Sequence, residues 1–371
     1  MRVLFLAPAF SIHTVRWVNA LTERGYKIYL ATLPNHKNQE NTIHSKVTVI
    51  ELPVSGMKGY YLNAPLLQRL AEKIKPDVVN AHYASGYGTL MRRAKLKNTV
   101  LSVWGSDVYD FPYKNRLFMW IIQRNLEYAD IIASTSYSMA KQTKKIMHKN
   151  LDITVTPFGV DLKQFSEKEH IGSDGILIGC VKTLEEMYGM EYLIKAVGIL
   201  LKDLKKKNMV TMANNIYCHI YGDGSQRNML QRLINDLGLS DVIKLKGKIP
   251  HEKVPSILSG VDIFCVLSVK DDESFGVAAV EAAAMGIPIV ASDVSGFKEV
   301  IDDGVTGIIV ERKSDKKAAK ALERLVLDNK LRNAMGYAGR ERVERLYDWE
   351  KNVGIMENIY CSILKGSERL K

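Results

Sequence analysis

The sequence predicts an α/β protein made of two doubly wound domains in tandem. Three observations carry this reading. A length of 371 residues suits two domains better than one. Short apolar runs alternate with segments of helical periodicity along nearly the whole chain. The alternation pauses once, at the polar stretch Ser166–Asp174, and then restarts.

The first half opens on a strand, Arg2–Ala7, then a helix from about His13 to Arg24 that stops at Gly25. Strands are expected at Lys27–Thr32, Val47–Leu52, Val78–Ala81, Thr99–Val103 and Ile131–Ser134, with helices at Leu66–Ile74 and Met139–Met147. Such short, almost wholly apolar strands belong to a parallel sheet covered on both faces. Pro157-Phe158-Gly159 closes this half. After the polar stretch come strand Gly175–Cys180, helix Met190–Leu204, strand Ile216–Ile220 and helix Gln226–Leu237. Strands Val242–Lys246, Ile263–Leu267, Ile287–Ala291 and Ile308–Val310 follow, and the chain is helical from Ala318. Ligands of such sheets bind beyond the carboxyl ends of the strands, so two facing domains are expected to share a cleft.

Hydrophobic content of 46% and charged content of 25% are those of an ordinary globular protein. No apolar run reaches the roughly 18–20 residues that span a bilayer. Met1–Pro8 has too short an apolar core for a signal peptide and reads as a first buried strand. Cys180, Cys218, Cys265 and Cys361 form no C-x-x-C pair and read as reduced core cysteines of a cytosolic protein. The net charge of +11 is unevenly spread. Residues 1–165 hold 22 Lys/Arg against 11 Asp/Glu, which leaves 52 − 22 = 30 basic and 41 − 11 = 30 acidic residues for the rest. The first half should therefore attract an anionic surface, unless its charge is simply solvated.

The strongest local signal is Glu273-Ser274-Phe275-Gly276-Val277-Ala278-Ala279-Val280-Glu281. Glu273 falls in the loop after a strand, and Glu281 falls inside a helix apolar on every side. Such a helix is buried, and a buried glutamate needs partners. The backbone N–H groups of Phe275, Gly276 and Val277 open that helix and suit an anion. Gly276 admits close approach of a ligand to the backbone. A ligand carrying a diphosphate and vicinal hydroxyls would satisfy these groups together.

With these residues in hand, the chain resembles the retaining glycosyltransferases of family four, which have the GT-B fold of two Rossmann-like domains. The E-x7-E motif with Phe-Gly is their signature. Tyr221-Gly222-Asp223-Gly224, Pro288-Ile289-Val290-Ala291-Ser292, Gly296 with Glu299, and Asp303-Gly304-Val305-Thr306-Gly307 match the family's pattern in order and spacing. Pro157-Phe158-Gly159-Val160-Asp161 with Phe165 matches its interdomain segment. The resemblance implies an acceptor-binding domain over residues 1–165 and a nucleotide-sugar domain over 172–350. The helix of about 352–371 is expected to pack back on the first. Glu281 is expected on the donor's ribose, and Glu273 with the Phe275–Val277 backbone on the transferred sugar. Backbone around Gly247–Pro250, including Ile249, is expected at the nucleobase. Lys182 occupies the position of the family's first diphosphate-binding cation. Tyr188 stands where a second lysine is expected, and either donates a neutral hydrogen bond or leaves that task to another basic residue. Lys182, Glu273 and His82 form the expected catalytic set.

In the first half, His82 ends a strand in Asn80-Ala81-His82-Tyr83, and the resemblance implies contact with the donor sugar. Trp104 stands where the family often has His. Asp107 reads either as an acceptor-side residue or as a loop cap. The first loop, Ala9 to Trp17, lacks the paired glycines of many members and resembles a branch found among surface-polysaccharide transferases. Ser11, His13 and Arg16 are acceptor or phosphate candidates there, while Trp17 shares a helix face with Val18 and Leu21 and reads as core. Phe111–Ile122 mixes aromatic and basic residues, and Lys141, Lys144, Lys145 and Lys149 add a basic helix. These segments either rest on an anionic membrane or pack as ordinary amphipathic helices.

The expected function is retaining, metal-independent transfer from a UDP- or GDP-sugar to a glycan or lipid-linked acceptor. No cofactor is expected, and Asp271-Asp272 makes no metal motif. The expected location is the cytoplasm, with peripheral contact at the inner face of the membrane. The alternatives are a sugar-nucleotide enzyme with a soluble acceptor and a non-enzymatic nucleic-acid binder. The second is disfavoured because the basic residues are dispersed and no binding module appears.

Overall fold

Each apolar run pairs its backbone groups with a parallel neighbour and hides both faces under helices, which is how a run such as Val3–Leu6 becomes a central strand. The computed structural model describes residues 1–38, 42–148, 152–167 and 175–368. The chain divides into two units, residues 1–158 with 350–371, and residues 159–349.

Unit 1 holds a seven-stranded parallel sheet. Its strands are β1 (Arg2–Leu6), β2 (Lys27–Thr32), β3 (Thr48–Glu51), β4 (Val78–His82), β5 (Thr99–Val103), β6 (Ile131–Ser134) and β7 (Ile153–Val155). They lie in the order β3-β2-β1-β4-β5-β6-β7. The winding reverses between β1 and β4, so that pair marks the switch point where ligands of such sheets bind. Unit 2 holds a six-stranded sheet in the order β10-β9-β8-β11-β12-β13. These strands are β8 (Ile176–Val181), β9 (Ile216–Tyr221), β10 (Ile243–Gly247), β11 (Ile263–Val266), β12 (Ile289–Ser292) and β13 (Gly307–Val310). Its switch point lies between β8 and β11. The sequence reading anticipated the two-sheet α/β architecture.

Departures are local. β3 is mostly exposed rather than apolar and covered, because it is the edge of its sheet. β7 is an unanticipated edge strand of three residues. Helices Gly56–Leu62 and Gly86–Arg93 were also not anticipated, since each contains two glycines that argue against helix locally. Packing overrides that preference: the second helix buries Tyr87, Leu90 and Met91 in the core of unit 1. Phe111–Ile122 is not one helix. A short turn at Phe111–Lys114 precedes the helix Arg116–Tyr128, whose first turn is capped by Asn115. Cys180, Cys218 and Cys265 are buried, whereas Cys361 is exposed and is not a core residue. Trp17 is buried. Lys149 and most of the Ser166–Asp174 stretch lie outside the described residues.

From Glu350 onward the helix Trp349–Glu368 belongs to unit 1. Arg24 anchors it through ion pairs with Glu350 and Glu357. Deeper in, Ser102 Oγ donates to Asn80 Oδ1 at 3.0 Å, and Asn80 Nδ2 donates to the fully buried Tyr360 Oη at 2.7 Å. This chain of bonds ties the last helix to the carboxyl-terminal parts of β4 and β5. Tyr360→Phe should leave a buried amide hydrogen without its acceptor and cost about 1–3 kcal/mol. A lower midpoint in thermal or urea unfolding checks this, and an unchanged midpoint would show that the bond contributes nothing.

Candidate functional site

The chemistry-bearing residues of unit 2 gather at its switch point. β8 ends at Val181 and delivers Lys182 just beyond the sheet. β11 ends at Val266, and the loop after it carries Glu273 before the helix Val277–Ala284 begins. The two side chains form a direct ion pair between Lys182 Nζ and Glu273 Oε2. Glu273 is buried, and the side chain of Lys182 is only 17% exposed. Burial pulls the Lys182 pKa down, but Glu273 and Tyr188 outweigh it and hold the ammonium above its ordinary value. Lys182 therefore stays charged at neutral pH. The Tyr188 ring lies beneath the same ammonium, 4.5 Å from Nζ to the ring centroid. Ser268 Oγ donates weakly to Glu273 Oε2 at 3.5 Å. Both contacts fall on Oε2.

The loop carrying Glu273 is braced from two sides. Gly296 N–H donates to the Glu273 carbonyl at 3.2 Å. A Cβ at Gly296 would stand 2.3 Å from that carbonyl oxygen, so only glycine allows the approach. On the other side Arg312 forks between two aspartates. Its Nη1 and Nη2 reach Asp271 at 3.2 and 3.3 Å, and its Nε reaches Asp293 at 2.9 Å. Asp271 also accepts from the backbone and hydroxyl of Ser295 at 2.8 and 2.9 Å. Sequence reading dismissed Asp271 as a metal motif and missed Arg312 altogether. Nothing in local spacing links positions so far apart.

Glu281 lies on the inner side of the helix Val277–Ala284 and is buried. Its Oε1 lies 2.7 Å from His251 Nε2, another partner not foreseen. His251 opens the short turn after β10, and it also faces the Phe165 ring at 6.0 Å. Gly247 ends β10 and accepts the Gly222 N–H at 2.8 Å. The nearest group to its open face is Arg227 Nη1. Ile249 follows in the same half-buried loop. Phe275 turns its side chain into the core against Tyr347. Gly276 has φ +85°, and Val277 begins the helix.

The switch point of unit 1 has the opposite character. His82 ends β4 and is wholly buried, and among the described residues neither ring nitrogen has a hydrogen-bond partner. Burial, with a smaller push from His13, lowers its pKa to about 3, so the ring is neutral. It packs against Trp104 at 4.2 Å and edge-on to Phe5 at 5.3 Å. His13 stacks on Phe158 at 3.9 Å, and Trp104 stands edge-on to both. Two imidazoles thus share one aromatic nest. Ser11 precedes the helix Ile12–Glu23, and Arg16 lies half-buried within it. Asp107 accepts backbone bonds from Ala84, Trp104 and Gly105 at 2.7, 3.1 and 2.8 Å. Of its two readings, this is the loop-capping geometry.

Two Rossmann-like units, the second with a lysine–glutamate pair at its switch point, define the GT-B class of glycosyltransferase fold. Solved structures agree on the fold. Sucrose-phosphate synthase from Thermosynechococcus elongatus superposes with a TM-score of 0.82 at 18% identity, covering 99% of this chain and 100% of that one. Anabaena HepE in complex with UDP gives 0.80 at 14% identity, covering 98% and 100%. The model "Glycosyl transferases group 1" matches residues 161–342, and "Glycosyl transferase 4-like" matches residues 2–136. The chain belongs to the group 1 glycosyltransferases. Among its relatives, N-acetyl-alpha-D-glucosaminyl L-malate synthase of Bacillus anthracis is 26% identical over 95% of this chain and 93% of its own length. The capsular polysaccharide biosynthesis glycosyltransferase CapM of Staphylococcus aureus is 27% identical over 64% of this chain and 63% of its own length.

The Arg312 fork has a measurable signature. Burial raises the pKa of Asp271 and of Asp293, but hydrogen bonds led by Arg312 outweigh it and hold both below the ordinary value. A carboxylate depressed in the folded state adds stability above its unfolded pKa of about 3.9 and loses it as pH falls further. Arg312→Ala should therefore lower the melting temperature at pH 7, with the gap to wild type closing towards pH 3. Its kcat should fall about tenfold or more as the Glu273 loop loosens. A gap that is the same at both pH values would show that the fork does not bear on these carboxylates.

Proposed function

We propose that this glycosyltransferase is a retaining hexosyltransferase that uses a UDP- or GDP-sugar. The observation that carries the reading is the Lys182–Glu273 pair at the switch point of unit 2, beside the first turn of the helix Val277–Ala284. A diphosphate is met there by an ammonium and by the positive end of the helix. Glu273 Oε1 accepts from a hydroxyl of the transferred sugar. Glu281, oriented by His251, accepts from the ribose hydroxyls. Solved complexes of HepE with UDP and with UDP-glucose support a nucleotide-sugar donor. In the reaction, the bond from the anomeric carbon to the diphosphate oxygen breaks and a bond to the acceptor oxygen forms on the same face. The acceptor's proton passes to the departing phosphate. The two glutamates are thus not a hydrolase pair, whose carboxylates flank the scissile bond.

The reading gives unit 2 to the donor nucleotide and unit 1 to the acceptor, with Ser11, His13 and Arg16 as acceptor-side polar groups, and it keeps neutral His82 for the donor sugar. No metal is required in this reading, because Lys182 and backbone amides supply the positive field. Among the described residues, no three His, Cys, Asp or Glu side chains stand together as a metal site needs. Lys182→Ala should lower kcat about 10²–10³-fold with a smaller change in donor KM, since charge grows on the diphosphate as the bond breaks. Wild-type turnover should survive exhaustive EDTA treatment. A thermal-shift screen of UDP- and GDP-sugars, followed by product analysis, identifies the donor. Near-normal kcat in the variant, or metal-restorable loss after EDTA, would overturn the corresponding part.

For the acceptor, the reading is a glycan or lipid-linked chain of surface polysaccharide or glycolipid synthesis, reached at the cytoplasmic face of a membrane. Among the described residues no helix is long and apolar enough to cross a bilayer. Support comes from one face of unit 1. Tyr113, Leu117 and Trp120 are 56%, 59% and 53% exposed on adjoining turns, although Ile121 and Ile122 behind them are buried. Gln142 donates to Tyr113 Oη at 2.8 Å, which sets the neighbouring helix Tyr137–Ile146 alongside, with Lys141, Lys144 and Lys145 exposed on it. Apolar insertion beside basic residues is the pattern of a peripheral membrane helix. A second reading is favoured by the malate synthase relative, whose name specifies a small soluble acceptor. Liposome flotation separates the two. Binding should prefer anionic vesicles, weaken with salt, and keep a salt-resistant part that Trp120→Ala and Leu117→Ala remove. Failure to float with any vesicle would favour the soluble acceptor.

A further inference from the structure

Lys182 is the cation that the proposed function places at the diphosphate, and its charge is already shared with Glu273. The position where the family carries a second lysine holds Tyr188 instead. Three features fix where Tyr188 stands. It ends the short turn Glu186–Tyr188, closed by Gly189 at φ +62°. The Met187 carbonyl accepts the Val269 N–H at 2.8 Å, joining this turn to the loop after β11. A Cβ at Gly189 would stand 2.2 Å from the Leu267 carbonyl oxygen, so the turn lies directly against the same loop. The phenol ring is thereby held under Lys182, with Nζ 4.5 Å from its centroid.

We propose that Tyr188 is a positioning residue whose ring face, not its hydroxyl, fixes the Lys182 ammonium for the donor diphosphate. This deepens the proposed function and rests on its diphosphate assignment. The physical case is a division of labour. A ring quadrupole attracts a cation without neutralising it, whereas a second carboxylate would cancel the charge the phosphate needs. A second lysine would repel the first. With Tyr188 below and Glu273 beside it, the ammonium has two of its directions set, and its remaining hydrogens are left for phosphate oxygens. When the diphosphate arrives, Glu273 can turn its carboxylate to the sugar while the ring keeps the ammonium in place. Burial raises the Tyr188 pKa, so the ring stays a neutral phenol and adds no negative charge beneath the lysine.

The test uses the full chain and inorganic pyrophosphate as the probe. Tyr188→Leu removes the ring, and Tyr188→Phe keeps it while removing the hydroxyl. Binding measured by calorimetry should weaken about three- to tenfold in Tyr188→Leu. Tyr188→Phe should restore it to within about twofold of wild type. With carbon-13 lysine, the Lys182 side-chain resonance, assigned by its loss in Lys182→Ala, should be shifted upfield by the ring. That shift should persist in Tyr188→Phe and vanish in Tyr188→Leu, a change that general destabilisation does not produce. Equal loss of binding in both variants would overturn the proposal in favour of a hydrogen bond from the hydroxyl. Unchanged binding in Tyr188→Leu, or no upfield shift in wild type, would overturn it as well. If wild type fails to bind pyrophosphate while the upfield shift is present, the diphosphate assignment itself falls, and this proposal falls with it.

Discussion

A charged pair withdrawn from water at the end of a parallel sheet sets the constraint on unit 2. Glu273 is buried, and a buried carboxylate without a cation costs several kcal/mol. Lys182 meets it from β8, while the carboxylate comes from the loop after β11. The two strands are neighbours across the switch point, so pairing the charges also fixes the loop that opens the helix Val277–Ala284. Close backbone packing around the pair follows. A Cβ at Gly222 would stand 1.9 Å from the Lys182 carbonyl oxygen. The glycines of the Tyr221–Gly224 segment are thus needed for packing before any ligand arrives.

Outside the pair lies a second layer of charge. Arg312, Asp271 and Asp293 are partly exposed, so each contact is individually modest. Their value lies in geometry: one planar guanidinium spans two loops and holds both in register. The same logic applies to His251 and Glu281, where an imidazole holds one carboxylate oxygen in place. Unit 1 has no such ion pair described at its switch point. Its switch point is an aromatic nest around an imidazole kept neutral by burial.

How much of this was legible in sequence depends on the range of the interaction. β1, β2, β4 to β6, β8, β11 and β12 stood out because apolar runs of the right length announce a covered strand. β3 was read as a strand too, at Val47–Leu52, but as a covered one, whereas it is a mostly exposed sheet edge; the three-residue edge strand β7 was missed. Helix Gly86–Arg93 was hidden by glycines that local propensity counts against it. Lys182, Tyr188, Glu273 and Glu281 were legible because their spacing from strand ends and from each other is itself a pattern. Arg312 and His251 were not, since their partners lie 19 to 41 residues away and no local periodicity connects them.

The sequence by itself determined the two-sheet architecture, the identity of the glutamate pair and the excess of positive charge in the first half. These follow from periodicity, composition and short motifs, which are properties of neighbouring residues. Only the tertiary structure decided that Tyr188 lies beneath Lys182 rather than beside it. It alone showed that Asp107 caps a loop, that His251 holds Glu281, and that Trp120 and Leu117 face outward while Ile121 and Ile122 face the core. The physical reason is the same in each case. The direction of a side chain is set by elements distant in sequence that pack against it, and that packing exists only once the chain has closed on itself.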